Sequence, residues 1–476
     1  MRCLILAMVV ALTLSLLGGC QKERESVPNG RLLAFSSDTI AFDTLFTSIG
    51  SPTKNLRVVN SGNDRIVVSS IRLAGGNNSG FSLNINGEAT NEVFNVEIPA
   101  HDSIFIFVEA NLYKGDNRQK MVAEDSIIFQ VNNREQKVRL LAWGKDYKLI
   151  NAEMLRTTTW TKEKPYLVYN YAFVDSCQVL TIEPGCTIYF HKNAGLFIKG
   201  TLIVKGTLAE PVVFKGDRLE NGYLNLPGQW NGITLLSGSH NNFIDHSIIK
   251  NANIGLQVGN IEKSGFASVE LTNTRIENMS WSGIWAMKSK ILAYNCVIAN
   301  VGYYNTALLL GGDYQFYHTT FANFYANMPG NVRSTETVTI SNYLDNSKKG
   351  AKYVGDLNQA IFGNCIISGS NPDELRISID KQGKGNYLFD HCLIQISDTY
   401  KLPDPNRFIG LIRNKSPRFI NPQKGIYELD TLSVAKDCGK NGYDKIVPFD
   451  LKGIDRDKDA GPDLGAFERV EKKNKE

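Results

Sequence analysis

The chain has 476 residues, 52 of them basic and 48 acidic, with a net charge of +4 at pH 7, eight cysteines and 41 glycines. That length exceeds what one compact core holds, so two or more units, or a solenoid growing along one axis, are required. Nearly balanced charge without a Lys/Arg cluster argues against a nucleic-acid partner, and frequent glycine without any long amphipathic helical run points to an all-β chain.

In chain order, Arg2 precedes an apolar run from Leu4 to Leu17 that is too short to span a bilayer, followed by Leu17-Gly18-Gly19-Cys20. This ending resembles a bacterial lipobox. The resemblance implies a signal peptide over 1–19, lipid attachment at Cys20 and anchorage to a membrane without a spanning segment. An ordinary signal peptide with an incidental cysteine is the alternative. The tether at 20–30 begins Gln21-Lys22-Glu23-Arg24-Glu25, which resembles the surface-export signals of Bacteroidota lipoproteins. That likeness implies lipid anchorage in the outer membrane facing the cell surface, with the periplasmic face as the alternative.

Residues 31–148 break into short alternating strands divided by Gly/Asn/Asp turns: TIAFDTLF, NLRVVNS, RIVVSSIRL, FSLNI, SIFIFVEAN, SIIFQVN and KVRLLAWG. Such a series predicts a β-sandwich, and its phrases resemble bacterial immunoglobulin-like domains. A spacer or docking role is the expectation for it.

From 149 the pattern changes. VLTIEPGCTIYFHKNAGLFIKGTLIVKGT reads as the first coils of a solenoid, with 217–228 as a loop. One phrase then recurs: IDHSIIKN, LTNTRIEN, AYNCVIAN, FYHTTFAN, FGNCIISG and FDHCLIQI. Its His/Asn column is His246, Asn273, Asn295, His318, Asn364 and His391, with steps of 27, 22, 23, 46 and 27. The long step suggests one hidden copy. A fixed period in this range means stacked units that share a core. The Ser/Thr/Cys residue after each column position and the residue two further on share one face, with period two. An odd offset to the preceding apolar residue places the His/Asn at a bend between strands. Asn251, Asn278, Asn300 and Asn323 mark a second, tight turn, because asparagine tolerates a left-handed backbone.

Strand, bend, strand, Asn turn and strand make one coil. The chain here resembles the right-handed parallel β-helix of the pectate-lyase type. The expected fold is therefore all-β: an immunoglobulin-like sandwich at 31–148, then a right-handed parallel β-helix over 149–468. DLKGIDRDKDAGPDLGAFE at 450–468 resembles the closing segment of Bacteroidota β-helix proteins, which implies a cap over the last coil, and 469–476 is a charged tail. Cys296, Cys365 and Cys392 fall in the inward column and read as small core residues, although a bridge between Cys365 and Cys392, or between Cys177 and Cys186, is geometrically open.

Four features could carry chemistry. The His/Asn column could face sugar hydroxyls, or simply cap bends and bond neighbouring coils. His246, His318 and His391 lie on separate coils and cannot share a metal ion. Trp281, Trp285, Tyr303, Tyr304, Tyr314, Tyr317, Phe324 and Tyr325 are dense enough for sugar stacking. The four at 281–304 are the binding candidates, with Trp281 and Trp285 expected to flank a turn at Gly283. Asp455, Asp457 and Asp459 have the spacing of a calcium loop but lack its Gly and Glu, so calcium is the one cofactor considered and none is assigned. Catalytic residues stay unassigned: the acids Asp245, Glu270, Glu277, Asp313, Asp380 and Asp390 are scattered, and Lys192, Asp217 and Arg218 match no motif. The leading expectation is an envelope or cell-surface lipoprotein whose β-helix binds glycans or another envelope component without catalysis. The alternatives are a polysaccharide lyase or glycoside hydrolase of the pectate-lyase-like fold, and a structural or adhesion protein.

Overall fold

The computed structural model describes residues 32–46, 50–112, 122–131, 133–261, 265–325, 333–346 and 351–470. The leader, the tether, Cys20 and the tail from 471 lie outside the described residues. The chain divides into two compact units, 1–146 and 147–476.

The first unit is a β-sandwich of two sheets, each with five strands among the described residues. Inward residues alternate with outward ones, as in Ser103–Ala110, where Ile104, Ile106, Val108 and Ala110 are buried. They meet Val68, Ile71, Phe129 and Leu140 of the other sheet in one core. Glu92–Ile98 was not among the expected strands; it pairs with Ile66–Leu73 on one side only, and among its seven residues only Ile98 is fully buried. An edge strand has little to bury, so period two is weak there.

The second unit is a parallel β-helix. Each coil contributes a strand to three sheets, numbered here by their order after the repeated phrase begins. Asn242–Asp245, Ala267–Thr272 and Leu357–Gly363 belong to the first sheet. Ser247–Lys250, Arg275–Met279 and Val297–Val301 belong to the second, and Ala252–Val258 to the third. The long strands Ser282–Tyr294 and Tyr304–Tyr317 bend from third sheet to first. Parallel register pairs Ile244 with Leu271, Leu271 with Ala293, and Ala293 with Phe316. Rungs near 4.8 Å apart stack like residues on like: Phe316, Phe362, Phe389 and Phe408 have successive ring centroids 5.1, 4.7 and 4.9 Å apart. Ile249, Ile276, Ile298 and Ile394, with Thr274, Cys365 and Cys392, are all buried inside, and the thiols are free.

All six residues of the His/Asn column have positive φ, between +43° and +53°. A left-handed residue is the short bend that the odd offset demanded, and Asn and His bear that conformation better than most. The step of 46 hides no extra copy: Phe316 pairs directly with Phe362 and Phe321 with Ile367. That coil instead carries excursions, including an antiparallel hairpin, Tyr343–Asn346 with Ala351–Val354. Asn251, Asn278 and Asn300 have φ of +67°, +60° and +54°, whereas Asn323 ends the strand Thr320–Asn323. Its amide both donates to and accepts from the Val301 backbone at 3.0 Å, so the chain departs into an excursion without the tight turn.

Nor does 450–468 cap the last coil. From Val297 onward the outward residues of the second sheet turn apolar, and this flank is what the C-terminal segment covers. Leu451, Ala466, Phe467 and Tyr427 pack on Val297, Ala299 and Ala322, while Leu464 and Ala435 pack on Ile366 and Leu393. Tyr400, Leu402 and Leu411 are the residues near the final rung that pack against the interior.

Candidate functional site

Two corners of the coil are lined by polar residues. At the first, between the first and second sheets, side chains bond from rung to rung. Asn273 Nδ2 donates to Asp245 Oδ1 at 2.9 Å, Asn295 Nδ2 to Asn273 Oδ1 at 3.1 Å, and Asn364 Nδ2 lies 3.1 Å from His318 Nε2. The C-terminal segment seals this corner: Lys440 N donates to Asn364 Oδ1, and Arg456 donates to Asn295 Oδ1, both at 2.8 Å. Burial, then the Arg456 charge, hold the His318 imidazole well below its ordinary pKa. This column serves the fold: its residues cap bends and bond neighbouring coils.

At the second corner, between the second and third sheets, the turn asparagines meet a loop. Asn251 Nδ2 donates to Leu224 O at 3.0 Å, and Gln229 Nε2 donates to Tyr223 O and Leu226 O at 2.6 and 2.8 Å, which pins the 217–228 loop across the corner. Gly228 (φ +78°) closes it; a Cβ there would lie 3.3 Å from Asn253 and Ser280. From the other side, Arg275 donates to Gly425 O at 2.9 Å and fixes the turn after Pro422–Lys424. Between them lies a cavity of about 330 Å³ lined by Asn221, Asn225, Glu277, Asn278, Asn300, Tyr325, Lys424 and neighbours. Glu277 is its one carboxylate among the described residues, and it is bound by the Arg275 guanidinium.

Beside this cavity stands a shelf of aromatic rings. Trp281 follows the Asn278 turn and is 45% exposed. Its ring stacks on Tyr303, one rung on, with centroids 4.5 Å apart and planes at 19°. Tyr303 meets Tyr304 edge-on at 4.6 Å, and Tyr304 lies 6.1 Å from Trp285. Burial, then Tyr303, raise the Tyr304 hydroxyl above its ordinary pKa. All four candidates are therefore one group, with Trp281 and Tyr303 at the second corner and Trp285 and Tyr304 on the third-sheet strands that follow. Gly283 marks no turn; it lies within the strand Ser282–Tyr294, so Trp285 points out of a sheet instead of off a loop. Tyr325 lines the cavity and lies 3.5 Å from where a Cβ would stand on Gly302, the residue before Tyr303. Tyr314 is wholly core, and Tyr317 is buried and packs on Tyr443.

In earlier coils the same corner carries a titratable stack. Tyr169 lies flat on His191, centroids 4.1 Å apart, and His191 Nδ1 is 2.6 Å from Asp217 Oδ2. Burial, then Asp217, push the Tyr169 hydroxyl up to about 12, and burial raises Asp217 despite its histidine partner. Lys192 and Arg218 flank this group in sequence; the Arg218 guanidinium stacks 3.9 Å from the Tyr223 ring and pairs with Glu220. Asp455, Asp457 and Asp459 stay in the C-terminal segment, where Asp457 N donates to Asp455 Oδ1. No group of three or more His, Cys, Asp or Glu side chains is placed to hold a metal among the described residues.

Sequence reasoning missed Asn221, Asn225, Gln423 and Lys424. The first two sit in a loop without period, and residues 423–425 reach the cavity from about 150 positions away from Arg275.

A family model described as the right-handed β-helix region matches residues 168–325. No curated protein matches the chain. Among solved structures, a family 123 glycoside hydrolase from Clostridium perfringens is 8% identical over 24% of this chain and 25% of that one, with a TM-score of 0.17. PapD-like domain 7 of human CEP192 is 10% identical over 27% of this chain and 97% of that one, also with a TM-score of 0.17. Superpositions so slight carry no functional argument. The matched stretch and its three parallel ladders make the solenoid a right-handed parallel β-helix.

Proposed function

We propose that this is a lipid-anchored envelope protein, tethered through Cys20, whose β-helix binds glycans at the second corner and does not cleave them. The observation that carries the reading is the shelf of Trp281, Tyr303, Tyr304 and Trp285, with Trp281 exposed and the other three rings part-exposed, beside a polar cavity whose wall includes Tyr325. Flat rings offer stacking to the apolar faces of sugars, and Asn225, Asn278 and Asn300 offer donors and acceptors to hydroxyls. Hydrolysis by paired carboxylates needs two acids flanking one bond, and among the described residues the cavity wall supplies Glu277, already tied to Arg275. The test is glycan-array binding by the chain without its leader, compared with Trp281→Ala. Flat signals across plant, host and microbial glycans would falsify the reading. For the anchor, acyl labelling in cells should vanish in Cys20→Ala; label that persists there sinks it.

One observation favours the enzyme alternative. A histidine oriented by a buried carboxylate and packed under a ring, as His191 is, has the form of a general base. If the protein is a lyase or hydrolase, incubation with polysaccharides yields unsaturated products or new reducing ends, and His191→Ala abolishes them.

A further inference from the structure

The cavity at the second corner is surrounded by more positive charge than its own carboxylate answers. Arg275 neutralises Glu277. Lys250 sits on the same side, half-buried, with its ammonium donating to the amide oxygen of Asn225 at 3.2 Å. Lys215 and Arg275 both raise the local positive potential at Lys250, and Glu277 is the acid that acts on it. Lys424 lines the cavity from the C-terminal side. Lys424 in the cavity wall and Lys250 beside it, bonded to the lining Asn225, thus stand near one carboxylate that Arg275 already holds, and neither lysine forms an ion pair of its own among the described residues. A half-buried ammonium whose one hydrogen bond goes to an amide, and whose nearby acid is held by an arginine, gains from an anion that completes it. The same amides, Asn225, Asn278 and Asn300, supply donors suited to oxyanions.

We infer that this corner cavity takes an anionic substituent of the ligand, a carboxylate, sulfate ester or phosphate, carried by a glycan whose rings lie on the Trp281–Tyr303 shelf. The inference rests on the glycan reading and adds the ligand's charge and the place where that charge is read. Fields of this kind act at short range and are screened by salt, so recognition of the acidic group weakens as ionic strength rises.

The test uses the chain without its leader against matched oligosaccharide pairs: sulfated and desulfated, uronate and its methyl ester, phosphorylated and dephosphorylated. The wild type is expected to prefer one acidic member at least tenfold, and the pair showing this identifies the source of the anion. Lys424→Met and Lys250→Met each reduce that preference to roughly twofold or less while neutral binding persists; Lys424 is at the rim, so its loss leaves folding intact. Exposed Lys401→Met is the control for general charge and leaves the preference unchanged. Equal binding of acidic and neutral members, or a preference untouched by both lysine variants, overturns the inference. It leaves the glycan reading standing if Trp281→Ala still abolishes retention. If no oligosaccharide is retained by the wild type, the glycan reading itself fails and takes this inference with it.

Discussion

At the first corner of the coil, six residues from His246 to His391 hold a left-handed backbone; the side chains of Asn273, Asn295, His318 and Asn364 are spent on one another and on the C-terminal segment, and His246 and His391 each pair with the aspartate before them. At the second corner, Asn251, Asn278 and Asn300 hold the same conformation, but Asn278 and Asn300 line a cavity. The backbone need is identical, and what differs is the cover. An apolar flank beginning at Val297 draws the C-terminal segment over the second sheet and the first corner, while at the cavity the second corner is bridged, among the described residues, by the pinned 217–228 loop and the 423–425 turn. A polar ladder is thus structural where something dry packs over it, and available for ligand where it does not.

Substitutions and a pH titration break or sharpen that contrast. The largest effects come from the buried ion pairs fastening each corner. At the first, Arg456 donates to Glu468 at 3.1 Å with both side chains wholly buried. At the second, the excursion after Asn323 is clasped where Arg333 donates to the Asn323 carbonyl at 3.2 Å and pairs with buried Glu374, which also accepts from Thr337 N at 2.9 Å. Glu374→Ala leaves the buried Arg333 charge uncompensated, and Arg456→Ala leaves Asn295 Oδ1 and the Gly465 carbonyl without their buried donor, so each should lower stability by about 3–5 kcal/mol in urea titrations. A loss below about 1 kcal/mol for either would mean its corner is not fastened this way.

Acidity distinguishes the corners next. Burial pushes Glu468 up to about 8 and Asp463 up to about 6. Carboxyls with raised native pKa values bind more protons folded than unfolded, so their contribution is fully present below about pH 4 and is lost as pH rises through 6 and then 8. Stability should therefore fall by roughly 2 kcal/mol across that window, well under the limit of about 1.4 kcal/mol per pH unit per group. Glu468→Gln should flatten the upper part of the curve in thermal melts, and an unchanged slope would assign the dependence elsewhere.

A smaller contrast tests the ladders themselves. Asn278→Ala forces a non-glycine, non-asparagine residue into the left-handed region and should cost about 1–2 kcal/mol, with Asn278→Gly nearly neutral. Asn364→Gly keeps the conformation yet loses the bonds to His318 and Lys440, so it should still cost about 1–2 kcal/mol. If both glycine variants match the wild type in chemical denaturation, the first-corner side chains do no more than those at the second. The least effect on stability is expected for Trp281→Ala, within about 0.5 kcal/mol because the ring stands half in solvent, although glycan retention should disappear.

Much of this was legible along the chain. Period two with an odd offset placed the strands, the inward Ser/Thr/Cys and Ile/Phe stacks and the bends, because each depends on residues close in sequence. Trp281, Trp285, Tyr303 and Tyr304 stood out along the chain by the density of aromatics around the middle coils, and the fold brings their rings together. The cavity was not legible, for it is made where a loop near 221 and a turn near 424 reach the same two asparagines. The long step of 46 misled for a related reason: periodicity counts residues, and a coil with excursions counts the same as two coils.

What the sequence determined by itself is therefore the solenoid and its bends, since hydrophobic period and left-handed tolerance are local properties that every rung repeats. Only the tertiary structure decided which of the two polar corners faces solvent. That choice depends on where a segment more than a hundred residues downstream finds apolar surface to cover, and no rung carries that information alone.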